Sequence, residues 1–254
     1  MTFSKLLGLI GHPVLHSKSP LLFKEKFIKE GRHDLEYLPF DLKDISDFKF
    51  LCENNPKLIA LNVTIPHKES IIPFLDILND DAREIGAVNT IMKLDGKWFG
   101  YNTDSWGFSR SIQPFLKGRH ERALILGTGG AAKAVGFAMK KIGIEYTFVS
   151  RNSEVKPGFE KVITYSDLTS EALKHNLLIV NCTPVGMSPD CKGVVKIPWD
   201  GVGKHHLMVD LVYNPEITLF VKKAREQGAV AMNGLDMLRL QAEKSWDIWI
   251  ENGL

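Results

Sequence analysis

The sequence predicts an α/β protein in two domains, and three observations carry that reading. Short apolar runs alternate with amphipathic stretches along the whole chain, the pattern of parallel strands joined by helices. At Gly127-Thr128-Gly129-Gly130-Ala131-Ala132 an apolar run enters a glycine-rich turn, and the helix that follows places Ala131, Val135, Ala138 and Ile142 on one face. The chain has 254 residues, 44% hydrophobic and 24% charged, an ordinary globular composition with length for one large domain or two small ones.

Strands are expected first at Lys5–Ile10, Glu36–Phe40 and Leu58–Val63, with helices at Ser19–Glu30 and Asp44–Asn54 between them. A helix is expected to start at Pro66, because proline suits a first turn whose N–H needs no partner. Val88–Leu94 and Lys97–Tyr101 read as a hairpin closed by Asp95-Gly96. A helix over Thr103–Leu116 leads to Lys117-Gly118-Arg119-His120-Glu121-Arg122, a polar solvated turn and a candidate domain boundary. The pattern then restarts with strand Ala123–Leu126, helix Ala131–Ile142 and strand Tyr146–Val149. Further strands are expected at Leu177–Val180 and Leu207–Leu211, and helices at Glu216–Gln227 and Leu235–Ile250.

Several function classes are excluded early. With 32 Lys+Arg against 30 Asp+Glu the net charge is +2, which offers no basic excess for nucleic acid. Cys52, Cys182 and Cys191 form no C-x-x-C, so neither a disulfide framework nor a zinc knuckle is expected. His205-His206 point different ways on any regular element, and no H-E-x-x-H is present, so no metal is expected. The apolar stretch Leu6–Ile10 is too short for a signal segment, and no run approaches the ~18 apolar residues of a membrane span. A cytoplasmic protein with no membrane partner is the expectation.

Gly127 to Ala132 is G-x-G-x-x-A, the dinucleotide-binding fingerprint. Its glycines let the chain turn sharply and bring backbone N–H groups at a helix N-terminus up to a pyrophosphate. The next strand ends in Ser150-Arg151-Asn152, where an acidic residue would bind the ribose 2′-hydroxyl of NAD. An arginine there pairs with a 2′-phosphate, which favours NADP; the alternative is a solvated loop arginine, with Glu154 nearby.

The first half carries polar groups at strand ends: His16-Ser17-Lys18-Ser19-Pro20, Asn62-Val63-Thr64-Ile65-Pro66-His67-Lys68, Ala87-Val88-Asn89-Thr90 and Tyr101-Asn102-Thr103-Asp104. Taken singly, each has an equal use as a cap or turn residue; together they suggest a polyhydroxylated substrate. With Asn181-Cys182-Thr183-Pro184-Val185-Gly186-Met187, Asp210 to Pro215, and Gly234 to Ala242, the set resembles the shikimate dehydrogenase family from about Gly11 to Ala242.

The resemblance implies an N-terminal open α/β substrate-binding domain over 1–104 and 234–254, and a Rossmann-type doubly wound NADP-binding domain over 105–233. It implies NADP-linked interconversion of 3-dehydroshikimate and shikimate, a step of aromatic amino-acid biosynthesis. Lys68 matches the catalytic lysine and Asp104 its partner carboxylate. Ser17 and Ser19 match the groups that bind the substrate carboxylate, and Asn62, Thr64, Asn89, Tyr213 and Gln241 the remaining substrate contacts. Gly127, Thr128, Gly129, Gly130, Ala131, Ser150, Arg151, Asn152, Thr183, Leu211 and Gly234 match the cofactor site, with Asp80 near the nicotinamide. The chemistry asks for such groups: hydride addition to a ketone builds alkoxide character, which a placed ammonium stabilises and protonates.

Three positions depart from the family pattern. Ser105 stands where glycine is usual, and Ser153-Glu154-Val155 where a second basic residue often follows the arginine, Lys156 being displaced from that position. Arg239 replaces a small apolar residue, either as a solvated helix residue or as a new anion contact. Two other readings stay open: a paralogue acting on quinate or another cyclic hydroxyacid with NAD, and a non-catalytic nucleotide or metabolite sensor. A sensor has no need of an acid–base pair. The resemblance allows a monomer or a homodimer.

Overall fold

The computed structural model describes residues 4–14, 17–152 and 158–254, and the chain divides into two units, Met1–Thr103 with Gln241–Leu254, and Asp104–Leu240. Asp104 and residues 234–240 thus group with the second unit.

The first unit contains β1 (Lys5–Gly11), α1 (Ser19–Lys29), β2 (Leu35–Asp41), α2 (Phe48–Asn54), β3 (Leu58–Val63), β4 (Ile77–Leu78), α3 (Asp80–Ile85), β5 (Thr90–Leu94) and β6 (Lys97–Tyr101). Its sheet runs β2-β1-β3-β5-β6-β4, with β1 parallel to both neighbours and the β3–β5 and β5–β6 pairs antiparallel. Alternation along β1 fills both faces: Leu7 and Leu9 pack with Phe23, Phe27 and Ala60, while Leu6 and Ile10 pack with Phe48, Leu61 and Ile91. Gly8 interrupts the apolar run for a steric reason, since a Cβ there would lie 2.4 Å from the Leu38 carbonyl oxygen.

The helix expected from Pro66 does not form. Residues 65–71 are a succession of turns, followed by one 3-10 turn at Ile72–Phe74. The Lys68 carbonyl accepts the Val88 N–H at 2.7 Å, which withdraws it from any helical ladder and anchors the segment beside β5 instead. The expected Asp44–Asn54 helix is a 3-10 turn at Ile45–Asp47, with the Asp44 side chain accepting the Ser46 N–H, leading into α2. The sequence pattern predicts neither β4 nor α3; both are very short, and α3 starts at the Asn79 side chain, which accepts the Ala82 N–H.

The second unit contains α4 (Asp104–Ile112), β7 (Arg122–Leu126), α5 (Gly130–Ile142), β8 (Glu145–Ser150), β9 (Val162–Thr164), α6 (Ser170–His175), β10 (Leu178–Asn181), β11 (Leu207–Asp210), α7 (Leu219–Glu226) and β12 (Val230–Met232). The last helix, α8 (Leu235–Glu251), starts here and ends in the first unit. Its sheet is parallel throughout in the order β12-β11-β10-β7-β8-β9, the doubly wound Rossmann-type arrangement. The polar turn Lys117–Arg122 is no boundary: Phe108 and Ile112 of α4, which precede it, are fully buried in one core with Ile125, Val135 and Met139. The helix expected at Glu216 begins later, because Thr218 caps it by accepting the Val221 N–H. No helix among the described residues is long and apolar enough to cross a membrane.

Gly8→Ala should lower stability by roughly 1–3 kcal/mol, the usual penalty of overpacking, because the nearest obstacle is backbone of the neighbouring strand. The check is the midpoint of urea unfolding.

Candidate functional site

At the C-terminal end of β7 the chain turns with Gly127 at φ +113°, a conformation open to glycine. A Cβ there would also lie 3.2 Å from the Thr183 methyl. Gly129 precedes α5 in extended backbone, and no side chain caps the first turn of that helix. By contrast α6 and α7 are capped by Thr169 and Thr218. A Cβ on Gly129 would meet nothing within 4 Å, so the space over these N–H groups is open. About two turns on, Gly136 lets α5 lie close on β8, where a Cβ would sit 2.7 Å from the Phe148 ring. The turn stands where the strand order reverses, between β8 and β10, and it fits an anionic dinucleotide. Ser150 ends β8, and Arg151 and Asn152 are exposed beyond it. Residues Ser153 to Lys156, where the family pattern often has a second basic residue, lie outside the described residues, as does His16.

The other positions expected on the cofactor side are tied to a buried carboxylate. Asn181 at the end of β10 accepts the Thr183 N–H (3.1 Å) and hydroxyl (2.7 Å), and donates to Asp210 at 2.9 Å. Asp210 also accepts the Val212 N–H at 3.1 Å and the Thr218 hydroxyl at 2.6 Å, fixing the backbone that carries Leu211 and the half-buried Tyr213. Burial pushes the Asp210 carboxyl up to about 6, against the pull of its three hydrogen-bond donors. Gly234 packs against this strand end, where a Cβ would lie 2.1 Å from the Leu211 carbonyl oxygen. Cys182 packs against the apolar core, and burial raises its thiol well above the ordinary range, the behaviour of a packing residue.

In the first unit the polar segments converge. Tyr37 donates to Asn62 Oδ1 at 2.9 Å, and Asn62 Nδ2 donates to Ser245 Oγ at 3.1 Å and the Asn89 carbonyl at 3.3 Å. Asn89 Oδ1 accepts the Thr103 N–H at 2.8 Å and the Thr90 hydroxyl at 3.1 Å, while its Nδ2 donates to Thr103 Oγ1 and Gln241 Oε1. All of these residues are buried, and no buried side-chain nitrogen or oxygen among the described residues lacks a partner. Asn102 is tied to the Ala87 carbonyl at 2.9 Å. Thr64 and Lys68 are half-buried beyond the end of β3, and the methyl of Thr64 sits where a Cβ on Gly11 would come within 2.4 Å. Ser17 accepts the Ser19 N–H at 3.2 Å at the start of α1. Asp104 is buried as the first residue of α4, followed by buried Ser105.

Over residues 9–91 the chain matches the shikimate dehydrogenase substrate binding domain. A shikimate dehydrogenase (NADP(+)) from Methanococcus maripaludis is 38% identical, covering 97% of this chain and 91% of its own. The solved shikimate dehydrogenase of Aquifex aeolicus has a TM-score of 0.87 at 35% identity, covering 97% and 92%. That of Thermus thermophilus, in complex with NADP(H) and shikimate, has a TM-score of 0.84 at 30% identity, covering 97% and 94%. The chain belongs to the shikimate dehydrogenase family.

Within this family member two expected positions stand apart from the buried clusters. Asp80 has a 98% exposed side chain, paired with Arg83 at 2.9 Å. Arg239, also exposed, faces Asp236 at 3.8 Å one turn away, as a solvated helix residue does. Conversely, sequence reasoning gave no role to Tyr37, Thr90, Thr103 or Ser245, which complete the network. Thr90 and Thr103 lay inside quoted motifs; Tyr37 and Ser245 carried no signal, since an isolated tyrosine on a strand or serine on a helix is commonplace. Among the described residues no group of three or more metal-ligating side chains is assembled.

Asp210 makes stability depend on pH. Its folded value, about 6, lies above the ordinary 3.8. Between roughly pH 4 and 6 the folded chain keeps a proton that the unfolded chain has released. Stability from this group therefore falls as pH rises through that window, and the cost is complete above it. Asp210→Asn, which keeps the size and an acceptor, should gain on the parent chain by about 1–3 kcal/mol between pH 4 and 7. Urea midpoints measured across that range check this.

Proposed function

We propose that the protein is an NADP-dependent oxidoreductase that interconverts 3-dehydroshikimate and shikimate, a cytoplasmic enzyme of aromatic amino-acid biosynthesis. The observation that carries this reading is kinship over nearly the whole chain with shikimate dehydrogenases (NADP(+)), which spans both the polar network and the glycine-rich turn.

The N-terminus of α5 and the Gly127–Ala131 turn suit the pyrophosphate, and Ser150, Arg151 and Asn152 suit the 2′-phosphate. Thr183, Leu211 and Gly234 are assigned to the rest of the cofactor contacts, and Asp80 to the nicotinamide, as the family pattern implies. NADP, when bound, accepts or supplies the hydride. Ser17 and Ser19 take the substrate carboxylate; Thr64, Asn89, Tyr213 and Gln241 take its hydroxyls. Asn62, also assigned to the substrate contacts, accepts from Tyr37 and donates to Ser245 and the Asn89 carbonyl. In oxidation Lys68 removes the hydroxyl proton as the hydride leaves the carbinol carbon. In reduction its ammonium stabilises the growing alkoxide and returns the proton. Asp104 is assigned to orienting the reacting hydroxyl and the lysine.

The test is reduced-nicotinamide absorbance with shikimate or quinate against NADP or NAD. Shikimate with NADP should be turned over fastest. A preference for quinate and NAD would favour the paralogue, and tight binding of both ligands without turnover would favour the sensor. Lys68→Ala should lower kcat by roughly 10²–10⁴-fold, the scale of a placed acid–base group. Arg151→Ala should raise the KM for NADP about 10- to 100-fold, the worth of a charge-assisted contact, and leave that for NAD nearly unchanged.

A further inference from the structure

Ser245 lies fully buried on α8, one turn beyond Gln241. The adjoining buried positions of the same helix, Ala242, Trp246 and Trp249, are apolar and pack with Phe23, Phe27 and Leu7. An alanine at 245 would propagate the helix better and bury no hydroxyl, so the serine needs a reason. Its bond to the Gln241 carbonyl (2.9 Å) satisfies the hydroxyl but supplies no reason to have one. The reason lies in the other contacts: Thr90 Oγ1 at 2.7 Å, Asn62 Nδ2 at 3.1 Å and Thr103 Oγ1 at 3.2 Å. These arrive from β5, from β3 and from the chain just after β6. One hydroxyl thus ties three separate strand ends to α8.

Each of those partners reaches Asn89 or Gln241 in one further step. Thr90 donates to Asn89 Oδ1, Thr103 bonds Asn89 and Gln241 Oε1, and Asn62 donates to the Asn89 carbonyl. We infer that Ser245 is a positioning residue for substrate recognition: it sets the orientation of Asn89 and Gln241 through Thr90, Thr103 and Asn62 without touching the substrate itself. This rests on the reading of Asn89 and Gln241 as substrate-binding groups. The hydroxyl protons allow two arrangements of the contact between Thr90 and Ser245, and Ser245 is a partner of Thr90 in both. If Thr90 donates across the 2.7 Å contact, Ser245 passes its own proton to the Gln241 carbonyl and accepts from Asn62. If Ser245 donates instead, Thr90 is freed to donate to Asn89. In either case removing the Ser245 oxygen leaves Thr90 and Asn62 each one partner short in buried surroundings.

The experiment compares the parent chain with Ser245→Ala, Thr90→Val and the double variant, measuring kcat and both KM values. Ser245→Ala should raise the KM for shikimate roughly 3- to 30-fold, the scale of one buried polar group left short of a partner. The KM for NADP and kcat should stay within about threefold, a split that a general loss of packing would not produce. The double variant should cost less than the product of the single effects, because either substitution already breaks the 2.7 Å pair. Should Ser245→Ala fail to fold, Ser245→Cys, close in volume and a weak donor, is expected to show the same split. An unchanged shikimate KM, or effects that multiply fully, would overturn the inference. A parent chain that turns over no shikimate would overturn the functional reading and this inference with it. Normal turnover by the parent beside an unaffected Ser245 variant would overturn the inference alone.

Discussion

Polar side chains buried among Leu, Phe and Trp are tolerable only if every one of them is bonded, and the first unit is arranged around meeting that demand. Each buried amide or hydroxyl left short costs about 1–3 kcal/mol, whereas each bond made contributes only about 1 kcal/mol net. A partly satisfied network would therefore be worse than an apolar core. Tyr37, Asn62, Asn89, Thr90, Thr103, Gln241 and Ser245 meet the demand together, and none of their buried atoms lacks a partner. The geometry this imposes is specific. Asn62 can point only one way, because the Asn89 carbonyl beside it accepts and cannot donate, and Asn89 is held from its own side chain, its carbonyl and its neighbour Thr90.

The second unit solves a different problem with different means. The surface proposed for the cofactor is mostly backbone, so its constraints are steric: Gly127 for the turn, Gly129 for open N–H groups, Gly234 for contact with the Leu211 carbonyl. Where a side chain is needed to hold backbone, a buried one is used. Asp210 binds Asn181, Val212 and Thr218 at once, and in doing so fixes two strand ends that carry proposed cofactor contacts. The price is a carboxylate kept out of water, visible in its raised titration.

Legibility in the sequence followed the range of the interactions. Strands β7, β8, β10 and β11 and the glycine-rich turn were readable because periodicity and φ requirements are local, whereas β9 and β12, three residues each, carry too short a pattern to read. The hairpin at Asp95-Gly96 was readable for the same reason, with Asp95 itself at positive φ. The false helix after Pro66 failed because its decisive bond, Lys68 carbonyl to Val88 N–H, joins residues far apart in the chain. The polar turn at Lys117–Arg122 misled as a boundary because charge marks exposure, not the edge of a core that reaches back to Phe108. Individual candidate residues could be singled out only as members of motifs. Asn89 alone reads as a turn residue, and its bond to Gln241 spans most of the chain.

The same distinction explains why Ser245 escaped while Gln241 did not. Gln241 was singled out because it lies in the Gly234 to Ala242 segment that matches the family. A serine is small enough to pass as helix filler, and its significance comes only from strands that meet it in the folded unit. Residues of this kind determine which way a carboxamide points, and thus which hydroxyl it can bind. Two chains with identical motifs can differ in selectivity through them, because the orientation of Asn89 belongs to the network and not to the residue type.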